Sequence, residues 1–168
     1  MGAEIIGIDP TEVRTSAQGA AFRVGTTAGY DHPTNGYQEF IYVKTAEAIT
    51  GAGYGCVFID PNSTEMLDTT ATTPGTKGPG SRCGWAMAAI ASGGFGWRQT
   101  HGKAPVRTLA SAARGTRLNT TATAGVLDDD GTAGSEQIVG VCLGTATGGA
   151  EANNADAYLN YPVVSITL

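Results

Sequence analysis

The chain has no run of roughly 18 consecutive apolar residues, so no helix of it is expected to cross a membrane. Its first ten residues, MGAEIIGIDP, hold no basic region followed by a long apolar stretch, which argues against a secretory leader and for a chain that is soluble inside the cell when made. Positive charge is also scarce: the formal net charge is −5 over 168 residues. A basic face able to track nucleic acid is therefore not expected. Cysteine is limited to Cys56, Cys83 and Cys142, an odd number without short paired spacing, which disfavours a disulfide framework. Apolar neighbours predict that all three behave as small buried hydrophobes. With no C-x-x-C or H-x-x-x-H pair to nucleate a zinc site, His32 and His101 are expected to be structural or surface residues.

The motifs of common catalytic sites are missing too. GAGYGC, residues 51–56, approaches the dinucleotide fingerprint, but Cys56 stands where the third glycine belongs and a strand follows. In HGKAP, Ala104 replaces the magnesium-binding hydroxyl of a phosphate loop and Trp97 occupies the position of the earlier glycine. No G-x-S-x-G elbow is present. The acidic LDDDGTAGSE, residues 127–136, lacks the alternating ligand spacing of a calcium loop and reads as a solvated turn. No cofactor or metal is expected, and an enzyme is the least favoured class.

What the chain has in abundance is glycine, 25 residues, about twice the usual share of roughly 7%. Charged residues make up only 15%. Glycine is costly inside helices and threonine is stiff at its first torsion, so long amphipathic helices are disfavoured and an all-β chain with many turns is expected. YQEFIYVK, residues 37–44, alternates with large apolar groups on both faces: Ile41 and Val43 on one, Phe40 and Tyr42 on the other. One pair should face the core, the other a neighbouring subunit or a covering loop. Asn35-Gly36 before it is a strong turn signal. TAEAIT, residues 45–50, is expected to make one helical turn. YGCVFID and TEMLDT read as strands joined across Pro61-Asn62. TATTPGTKGPG, residues 70–80, reads as a long exposed loop, and WAMAAIA, residues 85–91, as a strand. GWRQTHG, APVRTLA, TATAGVL, EQIVGVCLG and YPVVSITL complete a series of short strands of the kind found in barrels and sandwiches.

One segment invites a chemical reading: GGFGWRQTHGKAPVRTLA, residues 93–110, sets Trp97, Arg98, Gln99 and His101 between glycines. Burial is the usual fate of tryptophan. The functional alternative is a protein contact made by Trp97 and Arg98, residue types enriched at interface hot spots.

FRVGTTAGY, YVKTAEAITGAG, the hairpin around GGFGWRQTHG, RLNTTATAGVLDDD and IVGVCLGTATGG, in that order from about Phe22 onward, resemble the decoration (cement) proteins of tailed-bacteriophage heads and related short β-rich phage structural proteins. The resemblance implies a non-enzymatic protein on the capsid surface of the virion, bound to the major capsid protein, commonly as a trimer at local symmetry axes, that stabilises the head. It carries no catalytic residues to transfer. The expectation is a single all-β domain, barrel- or sandwich-like over residues 21–168, with at most short helices and an extended N-terminal arm over residues 1–20 that pairs with or lies across a neighbouring subunit. Candidate contact residues are Ile5, Ile6, Ile8, Phe40, Tyr42, Trp97, Arg98 and Arg107. The alternative expectation is a receptor- or carbohydrate-binding module of a tail or spike, with Trp85 or Trp97 exposed to stack on sugar.

Overall fold

Period-two patterning and glycine turns produce a fold made of strands. The computed structural model describes residues 8–68, 78–131, 133–147 and 152–168. In chain order its strands are β1 (Val13–Arg14), β2 (Thr27–His32), β3 (Gly36–Thr45), β4 (Gly55–Asp60), β5 (Ser63–Met66) and β6 (Cys83–Ala86). Then come β7 (Phe95–Thr108), β8 (Leu118–Thr120), β9 (Leu127–Asp128), β10 (Glu136–Leu143) and β11 (Asn153–Thr167). The domain is all-β, with no helix among the described residues. TAEAIT is a bend rather than a helical turn, because its backbone is claimed elsewhere: Ala46 N–H donates to Thr64 O and Ile49 exchanges bonds with Ile90. Most of the Pro/Gly-rich segment 70–80 lies outside the described residues.

β7 organises the rest. GWRQTHG and APVRTLA were expected as separate strands, yet they run on as one strand of 14 residues. Gly102 supplies the bend, at φ +90°, where a Cβ would collide with the Tyr37 carbonyl. The N-terminal half of β7 closes a circuit with β3, β5, β4 and β6. Its C-terminal half closes a second circuit with β11, β10, β8 and β9. Closure removes most strand edges, and the two circuits share a wall. Two other strand expectations shorten: of WAMAAIA, residues 85–91, only Trp85 and Ala86 lie in a strand, at the end of β6, and TATAGVL is mostly the turn between β8 and β9.

Three apolar layers follow from this arrangement. Inside the first circuit lie Ile41, Val43 and Phe58, with Ile49, Cys56, Ala86 and Ile90 at one end. The opposite faces of β4 and β6 send Val57, Cys83 and Trp85 into the second circuit, against Val106, Leu118, Leu127 and Leu159. On the outer face of β3 and β7, Phe40, Tyr42 and Trp97 form an aromatic layer, covered by Ile8 and Phe22. Phe22 meets Tyr42 edge-on at 5.3 Å and Trp97 at 5.2 Å between ring centroids. Of the two partners expected for the Phe40/Tyr42 face, the covering segment is the one present.

That cover is the N-terminal arm, lying on its own chain. Val13 and Arg14 pair with Gly96 and Phe95 of β7, and Ala21 N–H donates to the Tyr42 hydroxyl at 3.1 Å. Over the described residues the partner of the arm is thus intramolecular, where an inter-subunit pairing was expected. Cys56 and Cys83 are buried as expected, whereas Cys142 is exposed because it sits on the outer face of β10, opposite Tyr158.

Candidate interaction surface

Four of the expected contact residues are interior. Phe40, Tyr42, Trp97 and Arg98 are each no more than 1% exposed. The tryptophan and the two β3 aromatics are held under the arm. Arg98 points the other way, into the first circuit, because it stands opposite Ile41 and Ala86. Its Nη1 donates to Trp97 O at 3.2 Å, while Nε and Nη2 have no partner. The thiol of Cys56 is close enough to feel this guanidinium, yet burial outweighs the attraction and pushes the thiol pKa up, so it stays protonated. Arg107 is half-buried, its Nη2 donating to Ala152 O at 3.0 Å and its guanidinium lying 5.3 Å from the Tyr54 ring centre. Ile8 packs on the aromatic layer. Ile5 and Ile6 lie outside the described residues. Trp85, proposed with Trp97 as a sugar platform, is 0% exposed, so neither indole is available to stack on a glycan.

The exposed aromatics gather where β3, β7 and β11 run side by side, on the side of β3 opposite Phe40 and Tyr42, where the sequence reading had not placed a site. Glu39 of β3 stands opposite His101 of β7, and His101 opposite Asn160 of β11. Around that row gather Tyr37, Tyr158 and Tyr161, which are 48%, 52% and 53% exposed. His101 stacks on Tyr161 with centroids 5.1 Å apart and planes 26° from parallel. It meets Tyr158 edge-on at 5.5 Å, and the Tyr158 hydroxyl lies 3.3 Å from His101 Nε2. Tyr37 approaches the same imidazole at 6.1 Å.

Local backbone devices build this patch. Gly29, opposite Glu39 on β2, has no Cβ, and the Tyr37 ring lies over it; a Cβ there would fall about 2.5 Å from the Tyr37 hydroxyl. Tyr161 holds φ +46°, a left-handed conformation uncommon for a side chain of this bulk. It belongs to a bulge: Leu159 pairs with Val141 and Val163 with Val139, so β11 carries extra chain opposite Gly140. The bulge changes the inward positions from Ala155, Ala157 and Leu159 to Pro162 and Val164, and throws the Tyr161 ring outward.

Electrostatically the patch is acidic and otherwise quiet. Hydrogen bonding to the Glu39 carboxylate, helped by desolvation and by its negative charge, pushes the Tyr37 and Tyr161 hydroxyls above the usual phenol range. Lys103, the strand partner of Tyr158, is already paired with Asp156 at 3.0 Å. Beside the patch a cleft of about 620 Å³ runs over Phe40, walled by Ile8, His32, Met87, Lys103 and Asp156. The acidic turn carries no metal cluster among the described residues. Asp129 instead accepts Ala113 N–H at 2.9 Å, and Asp128 accepts Asp129 N–H.

Comparison with protein-family models, with curated proteins and with solved structures gives no match. The tyrosine patch was hard to find in sequence because its members come from Tyr37, His101, Tyr158 and Tyr161, none of which forms a motif with the others. The one local signal was Asn35-Gly36 ahead of Tyr37, which marks a hairpin and not a surface.

Proposed function

We propose that this protein is a non-enzymatic virion component that binds the outside of a tailed-phage head, contacts the major capsid protein, and stabilises the shell. One observation carries the reading: three tyrosines, each about half exposed, gathered around His101 on the rigid shared wall of two closed strand circuits. Tyrosine is enriched in protein interfaces because it brings a large amphipathic surface at small conformational cost. The low charge content and the resemblance to decoration proteins point in the same direction. A protein that binds the assembled shell and not its separated subunits raises resistance to opening by mass action, and a homotrimer bridging several shell subunits gains further from effective concentration. Undecorated heads should therefore release DNA at lower temperature than heads decorated with the purified chain. Tyr158→Ala, which removes an exposed ring without touching the core, should lower occupancy on heads and the protection with it. Equal release curves at verified full occupancy would refute the stabilising role.

A further inference from the structure

We propose that the tyrosine patch receives an arginine side chain of the partner, its guanidinium lying on the exposed tyrosine faces and bonding to the Glu39 carboxylate. This rests on the reading of the patch as a contact surface and adds the chemistry of what it contacts. Three features of the patch select a cation of that shape. Tyr158 and Tyr161 present half-exposed rings arranged around His101, and aromatic faces attract a planar cation through their negative quadrupole. Glu39 stands in the same row, directly opposite His101, close enough for its charge to act on the Tyr37 and Tyr161 hydroxyls, and a carboxylate has about four acceptor positions, enough to take a guanidinium. Lys103, the strand partner of Tyr158, is paired with Asp156 at 3.0 Å, and among the described residues no Lys or Arg forms an ion pair with Glu39. Arginine suits the site better than lysine because its flat, weakly hydrated head can stack and bond at once.

The strained backbone at Tyr161 supports the same conclusion. A tyrosine at φ +46° is maintained against a local preference that glycine would satisfy more easily, which is expected where the outward ring has a use. Glycine at this position therefore separates the ring from the fold, since it keeps the left-handed conformation and removes only the side chain.

The test uses the intact chain and the peptide Gly-Arg-Gly, acetylated and amidated at its ends, with its citrulline counterpart as the uncharged isostere, followed by NMR of tyrosine and histidine ring signals at low ionic strength. Arginine peptide is expected to shift the Tyr158, Tyr161 and His101 signals saturably, and citrulline peptide to bind at least about tenfold more weakly. Glu39→Gln should lose a similar factor, and Tyr161→Gly should abolish the shifts while melting no lower than the parent chain. Equal affinity for the two peptides, or arginine binding unchanged in Glu39→Gln, would overturn the proposal. Either result would leave the contact surface itself standing if Tyr158→Ala still fails to occupy heads. Full occupancy by Tyr158→Ala would instead refute the contact reading and the arginine with it.

Discussion

Replacing Trp97 by alanine separates a core tryptophan from an interface tryptophan. The ring is 1% exposed and touches Phe22 and Tyr42 at centroid distances of 5.2 and 5.1 Å. Removing a buried indole without repacking destabilises by about 3–5 kcal/mol. For 168 residues the unfolding entropy is about 0.35 kcal/mol/K, so the melting temperature should fall by about 10 °C. Phenylalanine at the same position should behave differently. The indole Nε1 is buried with no partner, and an unmet buried donor costs about 1–3 kcal/mol, so Trp97→Phe loses packing but also removes that penalty. Its melting temperature should stay within about 4 °C of the parent. Differential scanning calorimetry on the two variants is the assay. A Trp97→Ala chain that melts within about 3 °C of the parent while losing its place on heads would refute the burial argument and return Trp97 to the interface.

Arg98→Met should raise the urea midpoint, by about 1–3 kcal/mol of stability, because it replaces a buried and incompletely bonded guanidinium with a side chain suited to the interior; a lower midpoint would show that the cation is satisfied in solution. Burial, and then the negative charges of Asp129 and Asp130, raise the pKa of Asp128 above the carboxylate norm, so its ionised form weakens the fold at neutral pH and stability returns as pH falls through that raised value. Asp128→Asn should accordingly melt higher than the parent at pH 7, with the gap closing by about pH 4, and a gap independent of pH would contradict the assignment. Thiol titration of the native chain should find one reactive cysteine, Cys142, and all three after denaturation, since Cys56 and Cys83 are buried and burial raises both of their pKa values; fast labelling of more than one would place another thiol at the surface.

Much of the fold was legible in local patterning. The alternation of residues 37–44 marked β3 and its two apolar faces, Asn35-Gly36 marked the β2–β3 hairpin, and Pro61-Asn62 marked the turn between β4 and β5. Glycine and threonine content excluded long helices because those preferences act residue by residue, whatever the rest of the chain does. Which face of a strand meets water is not a local property. Phe40, Tyr42 and Trp97 look like any exposed aromatic row until residues 8–22 return to cover them, and Arg98 becomes interior only when β3 and β6 flank β7 on both sides. The interaction surface needed still more of the tertiary structure. A bulge at Tyr161, a bend at Gly102 and the closure of β7 onto β11 bring together residues 37 to 161, and no pattern within a single strand encodes a meeting that depends on the register of three.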